Sequence, residues 1–359
     1  MKPLWRKRLR GAGVGGIAAT SKVVIVSDRE LADTVDAFRC LDAATGNELW
    51  KVSYPAKGDL DYGNSTRATP LIHGDFVYVL GAFGHLTGIK LATGEVVWKK
   101  DLRREFAVTS KLVWGHASSP LVVDDKLIVN PGGPEASVVA LELTTGKVVW
   151  QSPGEASAFA SFIAVTMAGR QQVIGYEATS ISGWDPKDGR RLWRHVPKRP
   201  NDFNVPTPIL WRDKLILSTE NNDTRLFGFD GDGRLIDTPL AEYGDLAPDT
   251  HSPVVVGDRL FGVGNDLHCL DLSNGLKPIW TGEGKTFQHY ASLIASDTRL
   301  LVAGMHGELL LLDATANEFK QVSRVQLIDD DSGVYAHPAI VGDRLYVRGS
   351  SDVRCFALR

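Results

Sequence analysis

The chain has 359 residues, 43% of them hydrophobic and 23% charged, which is enough to bury a large core but long for one ordinary domain. Lys and Arg number 40 against 43 Asp and Glu, so the net charge of -3 provides no positive field that could grip a polyanion. We therefore expect no nucleic-acid partner, and either two domains or one large closed β-structure.

The N-terminal residues predict a strand rather than a targeting segment. Residues 1–10 have the positive charge that begins a signal peptide, but residues 11–20 are rich in Gly and lack the apolar bulk of its core. We predict no signal peptide in this chain. We also predict no membrane span, because no apolar run approaches about 18 residues. Residues 4–9, which include Trp5, predict a single strand.

The Gly-rich residues 11–16 fit the spacing G-x-G-x-x-G, which binds dinucleotides only between a strand and a helix. Residues 17–26 predict two strands and no helix, so we interpret the Gly-rich segment as a flexible loop. The longest irregular insert follows at residues 28–36. We predict that it is a loop between two strands.

One phrase, Leu-Asp-Ala-Ala-Thr-Gly-Asn-Glu-Leu-Trp at residues 41–50, returns along the chain. Clear copies lie at residues 91–98, 143–150 and 184–193, and degenerate copies lie at residues 229–236, 270–280 and 312–317. In the phrase an Asp or a Ser-like residue opens a type I turn, and Gly supplies the positive φ that closes it. A second hairpin signal lies upstream of each copy. Each repeat therefore predicts four strands, A to D, which is the pattern of a propeller blade.

The number of blades follows from the residues that close strand D. Seven closing positions occur along the chain, at Trp50, Trp98, Trp150, Trp193, about Ile236, Trp280 and about Val322. The chain then ends after a strand C at residues 354–359, and the strand at residues 4–9 supplies the missing strand D. We predict an all-β fold: a single domain over residues 1–359, forming an eight-bladed β-propeller of four-stranded antiparallel blades, the last closed by the N-terminal strand.

The Leu-Asp-x-x-Thr-Gly-x-x-x-Trp phrase resembles the tryptophan-docking repeat of the pyrroloquinoline-quinone-type (PQQ-type) propeller superfamily over essentially the whole chain. The superfamily includes quinoprotein alcohol dehydrogenases and the outer-membrane assembly lipoprotein of the β-barrel machinery, and the chain also resembles PQQ-repeat proteins of planctomycete-type bacteria. The resemblance implies the fold and a periplasmic or otherwise extracytoplasmic location. It implies little about function, because the Trp residues dock blades and hold no quinone.

The cysteines distinguish this chain from the dehydrogenases. That family has an adjacent Cys-Cys pair beside the quinone, whereas Cys40, Cys269 and Cys355 lie far apart. The insertions that carry its calcium ligands and catalytic Asp also have no matching positions here. We therefore do not expect PQQ as a cofactor. The three cysteines occupy equivalent strand C positions in different repeats, so we predict three free thiols.

The candidate site lies just before strand A of each blade, where propellers usually bind ligands at the mouth of their channel. Aligning the repeats on Thr-Pro, Ser-Pro and His-Pro pairs places nine polar residues at this rim: Arg67, His116, Asn204, Asp249, His251, His289, Tyr290, Tyr335 and His337. A cluster of histidines could bind a metal or act in acid/base chemistry. Histidines in loops also commonly bond the loop backbone, so both interpretations stay open here.

Three functions are compatible with these patterns. The first is a binding or scaffold protein with a ligand site at the channel mouth and a protein or carbohydrate as its ligand. The second is a carbohydrate-active lyase or hydrolase that uses rim histidines with Tyr290 or Tyr335, and the third is a quinoprotein dehydrogenase. The sequence assigns no catalytic residue and no metal. We expect a rim ligand to touch at least two of the rim histidines.

Overall fold

The computed structural model describes residues 1–30, 32–328 and 333–358. Within them the fold is all-β: the strands form eight four-stranded antiparallel sheets, and the chain is an eight-bladed β-propeller, which confirms the predicted fold class. Three short helical segments accompany the strands: α1 (Leu102–Glu105) and two 3₁₀ turns (Leu272–Asn274 and Lys285–Phe287). In the described residues no helix is both long and apolar enough to cross a membrane.

The chain divides into two compact units, and unit 1 comprises Met1–Ser157 and Ser332–Arg359. Its blades 1 to 3 consist of β2 (Ala18–Ala19), β3 (Val23–Glu30), β4 (Val35–Asp42), β5 (Glu48–Pro55), β6 (Leu71–His73), β7 (Phe76–Leu80), β8 (His85–Lys90), β9 (Val96–Asp101), β10 (Leu121–Val123), β11 (Lys126–Val129), β12 (Val138–Glu142) and β13 (Val148–Ser152). Its blade 8 consists of β30 (Ala339–Val341), β31 (Arg344–Arg348), β32 (Asp352–Ala357) and β1 (Lys2–Arg8).

Unit 2 comprises Ala158–Asp331 and holds blades 4 to 7. Their strands are β14 (Ile163–Met167), β15 (Arg170–Tyr176), β16 (Ile181–Trp184), β17 (Arg191–His195), β18 (Ile209–Trp211), β19 (Lys214–Thr219), β20 (Asp223–Phe227), β21 (Ala241–Tyr243), β22 (Val254–Val256), β23 (Arg259–Val263), β24 (Leu267–Asp271), β25 (Lys277–Gly282), β26 (Ala291–Ala295), β27 (Arg299–Gly304), β28 (Glu308–Asp313) and β29 (Gln321–Gln326).

Blade 8 is completed by the N-terminal strand, as predicted. Strand β1 pairs antiparallel with β32, from Lys2 opposite Ala357 to Arg8 opposite Asp352. The strand begins two residues before the predicted residues 4–9 and ends one residue earlier. Leu9 lies outside the ladder because its N–H bonds the carbonyl of Ser351, where the chain turns away.

The repeated Trp docks one blade on the next. In unit 1 the indole N–H of Trp50 donates to Leu91 O at 2.8 Å, in the turn of the following blade. Trp98 repeats this bond to Leu143 O at 2.9 Å. Trp5 of blade 8 makes the equivalent bond to Ala43 O at 3.1 Å in blade 1. The interpretation of Trp5 as a docking residue is therefore correct.

The Gly of the repeat is required for a second reason besides its positive φ. Gly94 has φ 76°, and a Cβ at this position would lie 2.7 Å from Cγ and 2.8 Å from Cβ of Trp50. Gly46 and Gly146 have the same relation to Trp5 and Trp98, with closest approaches of 2.6 and 2.7 Å. The constant spacing within the phrase thus places a residue without a side chain under the indoles of Trp5, Trp50 and Trp98.

Two closing positions in the degenerate repeats were predicted wrongly. The outer strand of blade 5 is Ala241–Tyr243, not the segment that ends at Ile236, because the short turn around the bridge of Phe229 to Leu235 places Ile236 before the strand, 43% exposed. In blade 7 the docking position is Ser323, not Val322. The turn before the outer strand of blade 7 runs from Asp313 to Lys320 and is two residues longer than the turn from Asp42 to Asn47 in blade 1, whereas the bulge of the strand occurs in blade 1 as well.

The segment 28–36 is not the predicted irregular loop. Strands β3 and β4 extend through it, with Asp28 opposite Ala37 and Glu30 opposite Val35. Charged side chains are tolerated in this buried hairpin because they pair with one another. Arg29, 3% exposed, bonds Asp36 at 2.6 Å, and Arg39 bonds Asp28 at 2.9 Å. The sequence shows the charges but not their partners.

The three cysteines lie where predicted and are buried and free. Each is opposite a docking Trp: Cys40 pairs with Trp50, Cys269 with Trp280 and Cys355 with Trp5. Burial raises the pKa of Cys40 and of Cys269 to about 12. At neutral pH these thiols therefore act as small apolar groups in the core.

Candidate ligand site

The predicted rim residues of unit 1 have different surroundings. Arg67 donates to the carbonyls of Asp61 and Gly63 at 2.7 Å and also to Ser65 O, and burial lowers its pKa to about 10. It therefore holds the loop 61–65 in place. His337 is exposed, with Nδ1 2.9 Å from the carbonyl of Pro338. Tyr335 is half-buried.

His116 is the most deeply buried of the rim histidines. Its side chain is 3% exposed, and its Nε2 has no hydrogen-bond partner among the described residues. Burial, together with the nearby charge of Arg103, lowers the pKa of His116 to about 4. The imidazole is therefore neutral at physiological pH and lies inside the fold rather than at a surface.

Two of the predicted rim residues in unit 2 are bonded to the protein backbone. His251 Nε2 lies 2.5 Å from the carbonyl of Val263, and burial lowers the pKa of this histidine. Asn204, 1% exposed, donates to the carbonyls of Glu177 and Ala178. Both side chains fix loops, which is the second of the two interpretations given to rim residues.

The remaining rim residues of unit 2 are more accessible. Asp249 and His289 are exposed, and Tyr290 is half-buried. The carboxylate of Asp249 acts on the pKa of His251 and on that of Glu220, so these three side chains share one region of unit 2. In the described part of the chain no group of three or more His, Cys, Asp or Glu side chains is arranged to hold a metal ion.

Unit 1 contains a cavity of about 860 Å³, which lies within the range of ligand pockets. Four chain segments and one further residue line it: residues 10–14, 29–33 except the undescribed position 31, 62–65, Gly333 with Tyr335, and Ser350. Tyr335 is the rim residue that lines this cavity. Arg67 does not line the cavity, but its guanidinium bonds the backbone of the loop 61–65, which does.

The Gly-rich wall of the cavity is fixed by buried polar groups. Asp28 Oδ1 accepts the backbone N–H groups of Arg10 at 2.9 Å and of Gly11 at 3.0 Å. The fully buried Arg348 donates to Gly11 O at 3.3 Å. A Cβ on Gly13 would lie 2.0 Å from the Arg348 guanidinium, so only Gly fits there. The segment predicted to be a flexible loop is thus held by hydrogen bonds at Arg10 and Gly11 and forms one side of the cavity.

The sequence could have indicated this cavity in part. The Gly-rich residues 11–16 and the insert 28–36 both depart from the pattern of the repeat, and two strands follow the Gly-rich residues, as predicted. No sequence pattern indicated that they face each other, because the loop 62–65 and Tyr335 complete the cavity from distant parts of the chain.

We expect acidification to destabilise the protein through His116. Its pKa falls from 6.5 to about 4 on folding, so between these values the unfolded state binds more protons, and stability falls as the pH decreases. Urea unfolding at pH 7.5 and at pH 5 should show that wild type loses about 2 kcal/mol more stability than His116→Gln. The same loss in both proteins would show that His116 does not carry this pH dependence.

Comparison with known proteins gives a consistent result. A family model described as outer membrane protein assembly factor BamB matches residues 2–104 and 35–282. The outer membrane protein assembly factor BamB of Shewanella oneidensis is 22% identical, with 97% of this chain and 97% of that protein aligned.

Solved structures show the same fold. BamB from Moraxella catarrhalis superimposes with a TM-score of 0.68 and 17% identity, covering 99% of both chains. Quinohemoprotein alcohol dehydrogenase from Comamonas testosteroni superimposes with a TM-score of 0.69 and 14% identity, covering 99% of this chain but 76% of that one. At these identities the superpositions support the fold and leave the activity open.

Proposed function

Because the chain belongs to the outer membrane protein assembly factor BamB family, we propose that it is a binding and scaffold protein that works in the assembly of outer-membrane proteins. The observation that carries the proposal is the match to a BamB over 97% of both chains. The same proposal assigns the chain to an extracytoplasmic compartment and gives it a protein partner.

The surroundings of two of the four rim histidines favour binding over catalysis. The enzymatic alternative requires rim histidines that can exchange protons with a substrate. His116 is buried and has a lowered pKa, and His251 bonds a backbone carbonyl. The ligand site formed by the nine rim residues remains a prediction, as does a carbohydrate-active function for Tyr290 and Tyr335.

Unit 2 offers a surface for a protein partner. Strand β29 is the outer strand of blade 7, and it is the only strand of the described chain in which every residue is exposed. Ser323 replaces the docking Trp, so no large side chain anchors this strand in the core. Its one charge, on Arg324, is paired with Glu308. An exposed edge strand without a free charge favours pairing with another strand.

The partner that fits such an edge is an extended β-strand of another polypeptide. An unfolded outer-membrane barrel protein supplies strands of this kind, because its strands are all paired only in the closed barrel. We expect a fluorescently labelled eight-stranded barrel protein, diluted from urea, to bind the purified chain in an anisotropy titration. The variant Val325→Lys should bind at least tenfold more weakly, because a charge is placed on the open edge.

Val97→Lys is the matched control. Val97 and Val325 are both 37% exposed and both lie on outer strands, but Val97 belongs to β9, which a Trp anchors. Val97→Lys should bind like wild type. Absence of binding by the wild-type protein would overturn the proposed function. Equal weakening by both substitutions would leave the proposed function standing but would exclude β29 as the binding site.

A further inference from the structure

We propose that the cavity of unit 1 is a binding site for an uncharged oligosaccharide. The site goes beyond the proposed protein-binding function, because it lies in unit 1 whereas β29 belongs to unit 2. Three observations carry the inference: the charge balance of the lining, the pair of tyrosines and the rigidity of the Gly-rich wall.

The cavity is charged but electrically balanced. Its charged lining residues, within the described chain, are Arg10, Arg29, Glu30 and Asp33, so their charges cancel. Each is already paired: Arg29 bonds Asp33 at 2.8 Å, and Glu30 lies 3.9 Å from Arg10. An ionic ligand would have to break these pairs, whereas a hydroxyl group can add a hydrogen bond to a paired carboxylate or guanidinium. The lining therefore favours a neutral ligand with many hydroxyl groups.

Two tyrosines supply the aromatic part of the cavity lining, which also contains the aliphatic side chains of Ala12, Val14 and Ala32. Tyr62 is 64% exposed and Tyr335 is half-buried, and both line the cavity. An aromatic ring with a polar hydroxyl presents a flat apolar face to the C–H side of a sugar ring. Asn64 adds an amide to the same wall and donates to Asp33 Oδ2. Flat apolar faces beside carboxylate and amide groups match the alternating C–H and O–H surfaces of a sugar.

Two parts of the cavity wall, the Gly-rich segment and the loop that carries Tyr62, are held in place before a ligand binds. Asp28 bonds the backbone N–H groups of Arg10 and Gly11, and Arg348 bonds the carbonyl of Gly11. Arg67 holds the loop that carries Tyr62 by donating to the backbone carbonyls of that loop. Side chains and loops that are already ordered lose less entropy when a ligand binds. Arg67, predicted to contact a ligand, thus acts as a positioning residue for the loop of Tyr62.

The experiment titrates the full chain with three uncharged trisaccharides, maltotriose, cellotriose and N,N′,N″-triacetylchitotriose, by isothermal calorimetry. The acidic trisaccharide trigalacturonate serves as the charged comparison. We expect at least one neutral trisaccharide to bind and trigalacturonate to bind more weakly. Tyr62→Ala should weaken binding at least tenfold, and Ala12→Trp, which fills the cavity from an exposed lining position, should abolish it.

Phe203→Ala is the control, because Phe203 is a similarly exposed aromatic residue, 48%, in unit 2. It should bind sugar like wild type. All three variants should keep the wild-type melting temperature, since the changed side chains are exposed. The proposal is overturned if no neutral trisaccharide binds at millimolar concentration, if trigalacturonate binds more tightly, or if Tyr62→Ala and Ala12→Trp both bind like wild type. None of these results affects binding of the unfolded barrel protein at β29.

Discussion

Deleting residues 1–10 is expected to lower the melting temperature by about 10 °C or more, or to prevent folding. The deletion removes the outer strand of blade 8 and the indole of Trp5, which packs 5.9 Å from the ring of Tyr346. Trp5 is half-buried, so loss of its side chain alone should cost less than the about 3–5 kcal/mol that is typical of a buried Trp. The deletion also removes Leu9, which is 7% exposed, from the core. The buried carboxylate of Asp352 in turn loses its ion pair with Arg6. Thermal unfolding followed by circular dichroism measures the effect.

Complementation separates loss of the strand from a general effect of truncation. A synthetic peptide of residues 1–10 should raise the melting temperature of the shortened protein in a concentration-dependent way, because it binds only the folded state. A peptide of the same composition in scrambled order should not. A shortened protein that melts at the wild-type temperature would show that blade 8 does not depend on β1.

Gly94→Ala is expected to cost about 3 kcal/mol or more, although it adds only one methyl group. A residue with a side chain at φ 76° is strained by about 1–2 kcal/mol. The new methyl group would also overlap Cβ and Cγ of Trp50, and overpacking of this kind typically costs about 1–3 kcal/mol. These Trp atoms lie next to the backbone and have little freedom to move. Denaturant unfolding measures the loss.

Gly74→Ala provides the matched control, since Gly74 has φ 55° but nothing within 4 Å of its added Cβ. It should cost only the backbone strain, about 1–2 kcal/mol. The double variant Gly94→Ala with Trp50→Ala should be less destabilised than the sum of the two single variants, because the overlap disappears with the indole. Additive effects, or equal costs for Gly94→Ala and Gly74→Ala, would rule out the contact as the cause.

The fold was predictable because its blades repeat a phrase with a physical meaning at each position. The Asp, the Gly and the Trp are respectively the start of the turn, the space beneath the indole and the docking side chain, so the clear copies gave the correct strand pairing. The prediction failed where the phrase degenerates. Ile236 and Val322 follow from the spacing alone, whereas turns of altered length move the true positions in blades 5 and 7.

The way in which the Trp of blade 4 docks on blade 5 could not be predicted from the sequence. Trp193 donates its indole N–H to Gln172 Oε1 of its own blade at 2.7 Å, and Gln172 Nε2 donates to Gly233 O in the next blade. A polar side chain thus replaces the direct bond seen at Trp50 and Trp98. Gln172 carries no feature of the repeat, so only the structure could identify it.

The candidate site was less predictable than the fold. The alignment of repeats gave positions along the chain correctly but gave no information on side-chain direction, so His116 and Asn204 were expected at a surface and are buried. The cavity of unit 1 depends on long-range contacts, such as that of Arg348 with Gly11, which lie far apart in the sequence. Patterns of a few residues cannot predict such contacts.

The pairing of β1 with β32 also sets an order of events during folding. Arg6 and Asp352 are separated by 346 positions, so β1 can pair only after β32, the last strand of the described chain, has been made. While it waits it is an isolated strand with an open edge on both sides. Pro3 and the basic side chains of Lys2, Lys7 and Arg8 are features that oppose aggregation of such edges. The composition of β1 thus suits the nascent chain as well as the finished blade.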